Sequence, residues 1–250
     1  MLICKGKTMK YNIVKTSKVV KTPAYVKEIY GKVYENEKIS RLLDDERIVS
    51  LITCFQQYKL IDDVTKEIAT NSSVLQMGCT FGRQIEATAE KVGAYGHYVI
   101  ADVLPLQIER CKSKTVYQKI NFLSQDVSKA FSEKFDTVIC YMLLHELPPA
   151  TKAKVINNAL NSVEEGGKVI FIDYHKPAKW NLLRFLIKPF NRLYQPFAES
   201  MWEKSIDSYA KDKECFSWRK KTYFGKMYQK VVAVRQLPNY EKPPVKQSFY

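Results

Sequence analysis

The sequence predicts an α/β fold, a mainly parallel sheet wrapped by helices and closed by an antiparallel hairpin. Three observations predict it. From residue 72 onward, apolar runs of strand length alternate with helix-like stretches, the pattern of parallel strands joined by crossover helices. A loop of small residues, "GCTFG" at 78–82, follows directly on the first apolar run. The last β-rich segment, 219–236, is split at Gly225, which reads as a hairpin on the sheet edge.

Taken in order, 74–77 is a short buried strand, and a glycine turn then leads into a helix over 83–92. "HYVIADV" (97–103), "KINFLSQDV" (119–127) and "FDTVICYMLL" (135–144) are the next three strands. A helix over 152–163 precedes Gly166-Gly167, where the chain breaks before a fifth strand at 168–173. Five parallel strands and a terminal hairpin is the arrangement of class I S-adenosylmethionine-dependent methyltransferases, a Rossmann-like sheet. Residues 1–70 are expected to form a basic segment and helical cover, and 71–236 the main domain with a helical cap inserted at 176–218. Residues 237–250, with three prolines, read as an irregular tail.

The net charge of +14 is unevenly placed. Residues 1–27 hold seven lysines and no acid, and 176–250 hold sixteen Lys/Arg against six Asp/Glu. The stretch between is nearly neutral. Two basic flanks call for an anionic partner surface, lipid headgroups or nucleic acid. The lysines are not interleaved with an RNA-binding motif, so a membrane is the expected partner and nucleic acid is not. No apolar run reaches the roughly 18 residues of a spanning helix. The lysine-rich start fits a mitochondrial presequence poorly, and Met9 is an alternative start. Six scattered cysteines without a C-x-x-C pair read as reduced thiols.

Ligands of open α/β sheets sit beyond the carboxyl ends of the strands, where strand order reverses. The turn carrying Gly78, Thr80 and Gly82 lies at such an end. Asp102, 24 residues after Gly78, closes the second strand and can accept hydrogen bonds from ribose hydroxyls. Asp126 at the end of the third strand can bind an adenine amine, and Val103 and Val127 beside the two acids complete the walls. The run is G-x-x-x-G rather than G-x-G-x-x-G, which suits adenosylmethionine, a nucleoside without phosphate, better than a dinucleotide.

Two of the three histidines fall at strand ends on the same rim, His145 in "YMLLHELPP" and His175 in "DYHKP". Two roles are open. Asp173 and His175, with Glu146 nearby, can hold a divalent metal through mixed N/O ligands. Alternatively, His145 or His175 is a general base working near neutral pH. Tyr141 is a further catalytic candidate from its place at a strand end, and Tyr174 a candidate for the pocket wall. In the insertion, "WNLLRFLIKPFNRLYQPF" spaces Arg184, Lys188 and Arg192 four apart, with Trp180, Leu183 and Ile187 on another face. That is a membrane-interface pattern, cut into short pieces by Pro189 and Pro196. A cap helix packing its apolar face on the domain gives the same pattern.

The segments "VLQMGCTFG", "YMLLHELPP", "DYHKPAKW" and "KKTYFGKMYQKVV" together resemble the rhodoquinone biosynthesis proteins, relatives of the ubiquinone/menaquinone C-methyltransferases, over residues 70–235. The resemblance implies conversion of ubiquinone to rhodoquinone, a ring methoxy group giving way to an amino group. It implies adenosylmethionine as amino donor, manganese as metal, and a peripheral site on an inner membrane. That membrane face is the matrix side in a mitochondrion and the cytoplasmic side in a bacterium. It also gives Gln76 a meaning. Methyltransferases of this fold carry an acid at that position, which favours the charged form of the cofactor's amine. A neutral Gln76 is expected to free that amine to act as nucleophile. Thr80 departs from the glycine usual at its position.

Overall fold

A computed structural model describes residues 21–115 and 119–237. The basic stretch before residue 21 and most of the proline-bearing tail lie outside the described residues. Seven strands form one sheet in the order β3-β2-β1-β4-β5-β7-β6. They are β1 Ser73–Met77, β2 His97–Asp102, β3 Ile120–Ser124, β4 Phe135–Tyr141, β5 Val163–Tyr174, β6 Phe216–Tyr223 and β7 Tyr228–Arg235. The first five run parallel, and β7 pairs antiparallel with both β5 and β6.

Strand alternation divides the sheet into two apolar faces. Leu75, Met77, Val99, Ala101, Val138, Cys140, Val169 and Phe171 face α7 (Pro149–Asn161), against Val155, Ile156 and Ala159. Their neighbours Val74, Tyr98, Ile100, Ile139, Ile170 and Ile172 face α4 (Gln57–Thr65) and α5 (Gln84–Val92). Burial on both sides leaves the strand ends as the place where polar chemistry can reach solvent. The chain leaves β1 in one direction and returns at β4 on its other flank, so the carboxyl ends of β1 and β4 form the switch point.

Before the sheet come α1 (Gly31–Tyr34), α2 (Glu37–Leu43) and α3 (Glu46–Ile52). Asn36 and Asp45 start the latter two by accepting from the backbone N–H groups of Ile39 and Arg47. The expected break at Gly166-Gly167 is not a strand boundary. The pair lies inside the twelve-residue β5, and the register against β4 shifts there, between Phe135 and Thr137. Gly166 takes φ +75°, and a Cβ on Gly167 would stand 2.8 Å from the Asp136 carbonyl. The glycines therefore make an irregularity within a strand. Proline 189 likewise falls inside a single helix, α8 (Arg184–Tyr194), rather than dividing it.

Candidate active site

A cavity of about 470 Å³ opens at the carboxyl ends of β1, β2 and β4 and is roofed by the segment from Pro23 to Thr53. Gly78, Thr80, Asp102, Val103, Asp126 and Val127 all line it. Gly78 has φ +90°, a conformation glycine adopts without strain. Asp102 Oδ2 accepts from the Cys79 N–H at 2.7 Å and Oδ1 from the Leu104 N–H at 2.8 Å. Each oxygen keeps a lone pair for a ribose hydroxyl. Burial raises the Asp102 pKa against these bonds and the nearby Arg110. Asp126 Oδ1 accepts from Ser128 N–H, which holds the carboxylate at the same wall. These donors and acceptors fit the nucleoside end of adenosylmethionine.

Gln76 lies under the turn rather than in the cavity wall. Its side chain is fully buried. Oε1 accepts from Gln84 Nε2 at 3.0 Å and from the Tyr98 hydroxyl at 3.1 Å, while Nε2 donates to Gln84 Oε1 at 2.6 Å. Thr80 Oγ1 donates to the same Gln84 oxygen at 3.0 Å. Thr80 thus takes the second glycine position by turning its hydroxyl inward into an all-neutral network. Gly82 stands behind the turn, its N–H donating to Asp44 Oδ1 at 2.9 Å. Arg110, on α6 (Pro105–Lys114), pairs with Asp44 at 2.6 Å and donates to the Thr80 carbonyl at 2.9 Å. Asp44 and Arg110 therefore clamp the helical cover onto the glycine turn. Sequence spacing gives no hint of that partnership.

The cavity wall carries further titratable groups. His145 follows β4, in the short turn Leu144–Glu146. Its Nδ1 lies 2.9 Å from Asp173 Oδ1, and Nε2 lies 3.8 Å from Glu146 Oε1. Asp173 fixes the tautomer, so Nε2 is the free, basic nitrogen on the cavity side. Burial opposes charge on this imidazole, but Asp173 outweighs it and holds the pKa above the ordinary value. Burial pushes Glu146 up to about 7, and its Oε1 accepts from the Tyr34 hydroxyl. Tyr141 lines the cavity with its phenol pKa raised by burial, a neutral donor. Tyr174 stands with its ring 4.5 Å from that of His145. Tyr25, Tyr30 and Tyr34 of the cover and Phe81 of the turn add aromatic wall; Phe81 stacks on Tyr34 at 5.8 Å.

The pairing of Asp173 with His175 is not formed. Asp173 is fully buried and saturated, accepting from the N–H groups of Leu144, His145 and Tyr174 as well as from His145 Nδ1. His175 lies past the end of β5, where its N–H donates to the Met227 carbonyl and its Nδ1 stands 3.0 Å from the Lys176 and Lys226 carbonyls. It borders a second cavity instead. Among the described residues no group of three or more His, Cys, Asp and Glu side chains is arranged to hold a metal ion. A carboxylate already carrying four hydrogen bonds is a poor ligand, so this donor set does not fit manganese.

In the insertion, Leu183 and Ile187 pack on the core beside Met227 and Tyr228. The apolar residues that α8 and its approach turn outward are Trp180, Leu182, Phe185 and Leu186, each more than 60% exposed. Lys188 and Arg192 are exposed as well. Among the described residues no helix is long and apolar enough to cross a membrane.

A family model described as "Methyltransferase domain" matches residues 74–167, from β1 into β5. The fold is that of the class I methyltransferases. An O-methyltransferase family protein from Burkholderia thailandensis superposes with TM-score 0.60 at 14% identity, over 82% of this chain and 67% of that one. The N-methyltransferase NodS from Bradyrhizobium japonicum, with S-adenosyl-L-homocysteine bound, gives 0.54 at 14%, over 86% and 99%. Human N-acetylserotonin methyltransferase, with S-adenosylmethionine bound, gives 0.56 at 15%, over 85% and 60%. Comparison with curated protein sequences found no match. The glycine turn, Asp102, Asp126, His145 and Glu146 all line the one cavity at the strand ends of this fold.

Proposed function

We propose that this protein is an S-adenosylmethionine-dependent transferase that modifies a lipid-soluble quinone at a membrane surface, exchanging a ring methoxy group for an amino group. The reading rests on the resemblance to the rhodoquinone biosynthesis proteins and on one structural observation. Position 76 carries a neutral amide, sealed with Gln84, Thr80 and Tyr98 in a network without a charge. No carboxylate at that place biases an amine above the turn toward its ammonium form.

Bound adenosylmethionine would supply the transferred group, held by Gly78, Asp102 and Asp126. His145 Nε2 accepts the proton lost by the attacking nitrogen, and the Asp173 carboxylate steadies the resulting imidazolium. Glu146, with a pKa near 7, would hand a proton to the departing methoxide, which would leave as methanol. The bond from the transferred nitrogen to the donor's α-carbon would then break by a shift of the N–H and Cα–H hydrogens onto the two ring oxygens. Hydrolysis of the resulting C=N bond by one water would release the amino-hydroquinone and the donor's α-keto acid. The apolar, aromatic walls exclude water around these two groups. The exposed apolar and basic residues of α8 suit an anionic bilayer surface.

A second reading, methyl transfer to a phenol or hydroquinone, is favoured by the His145–Asp173 pair itself, since removing a hydroxyl proton is what such a base does. Incubation with ubiquinone and adenosylmethionine followed by product mass separates the two. Loss of methoxy with gain of amino supports the first, and gain of a methyl group supports the second.

A further inference from the structure

We propose that the second cavity is a channel for the apolar tail of the substrate, leading from the membrane face to the reaction site. This inference rests on the lipid-quinone reading above. The cavity holds about 320 Å³ and is walled mainly by hydrocarbon, including Leu183 just before α8, Leu186 and Ile187 of α8, and Met227 and Tyr228. It adjoins the first cavity, the two sharing Ile52 and Tyr174 as wall residues.

Tyr174 is the partition. Its ring is 4.5 Å from His145 on the reaction side and 5.6 Å from Tyr228 on the channel side. At the outer end, Leu186 is 69% and Ile52 49% exposed. Other exposed apolar residues stand near them in the chain, Leu182 just before α8, Phe185 within it, Leu51 within α3 and Phe55 after it. Exposed large apolar side chains in this number mark a surface with a function. One molecule satisfies all of this, a ring small enough for the first cavity bearing a hydrocarbon chain that passes Tyr174 and leaves between Ile52 and Leu186. Lysine 188 and Arg192, exposed on the same helix, would meet lipid phosphates while the chain remains in the acyl region.

The test fills the channel. Ile187→Trp and, independently, Leu183→Trp place an indole where the chain would run. Binding of a pyrene-labelled fatty alcohol, followed by fluorescence, should weaken about tenfold in each variant, which is what losing burial of two methylenes amounts to. The kcat/KM ratio for a decyl-tailed over a tail-less quinone should fall by a similar factor, with adenosylmethionine affinity unchanged. Equal probe binding by the parent protein and both folded variants overturns the channel, as does an unchanged ratio. Probe binding that is lost in the variants, in a protein turning over neither quinone, would uphold the channel and sink the transfer reading. Turnover indifferent to the tail, without probe binding, would do the reverse.

Discussion

Asp173→Asn perturbs the reaction side with the least change of shape. The native carboxylate accepts four hydrogen bonds at full burial, two per oxygen. An asparagine has one acceptor oxygen, so its amide nitrogen must confront either the Leu144 and His145 N–H groups or the Tyr174 N–H and His145 Nδ1. Leaving such donors buried and unpaired costs about 1–3 kcal/mol each, and loss of about 3 kcal/mol would lower Tm by roughly 10 °C in a chain of this size. The catalytic effect is separate. Without a carboxylate at Nδ1 the imidazole is free to adopt the wrong tautomer, and kcat should fall by about 10² to 10⁴. The pH profile carries the signature. In the native protein Asp173 raises the His145 pKa against burial. With that charge gone burial is opposed only by the weaker pull of Glu146, so the rise of kcat with pH should move to lower pH. Measured kcat against pH, with adenosylmethionine affinity from calorimetry, reads both effects. A folded variant with kcat within threefold of native and an unmoved profile would refute the base assignment.

Gln76→Glu keeps size and places a carboxylate beneath the turn, with Tyr98 and Gln84 able to donate to it. It should tighten adenosylmethionine binding and depress amination, and unchanged amination in a quinone assay would count against the role given to Gln76. Lys152 on α7 is fully buried beside Ser200 and the Phe197 carbonyl, and burial lowers its pKa to about 8 from 10.5. A depressed lysine destabilises the fold fully below pH 8 and less as pH rises toward 10.5, because the unfolded chain then holds the extra proton. Urea midpoints should therefore rise by the equivalent of a few kcal/mol across that window, and Lys152→Met should flatten the slope. Reversing Arg184, Lys188 and Arg192 to Glu should weaken flotation on anionic liposomes at least a hundredfold, at about 1 kcal/mol per basic residue removed. Unaltered flotation would remove α8 from the interface.

The sheet was legible because its signals are local. Short β-branched runs, a glycine turn and an acid closing the second strand are each set within a few residues. The same holds for the rim, where Thr80, Asp102, Asp126, Tyr141 and His145 come together because strand ends converge at the switch point. What spacing hides is which neighbour a side chain chooses. Asp173 and His175 are two apart, yet the chain turns away after Tyr174 and the carboxylate is taken by the turn after β4. Glycines 166 and 167 read as a break because their backbone freedom is visible, whereas the flanking ladder that absorbs them is not. Pro189 reads as a helix end, but packing of Leu183 and Ile187 on the core carries α8 through it. The cover held by Asp44 and Arg110 joins segments far apart in sequence, and no local pattern announces it.

In the proposed reaction the donor's nitrogen, rather than its methyl carbon, reaches the quinone. Adenosylmethionine carrying heavy nitrogen in its amino group and deuterium in its methyl group tests it in one reaction with ubiquinone, read by mass spectrometry of the quinone product. Heavy nitrogen should appear on the ring in place of one methoxy group, with no deuterium. Deuterium in the product without heavy nitrogen would contradict it and leave a methyl-transferring enzyme.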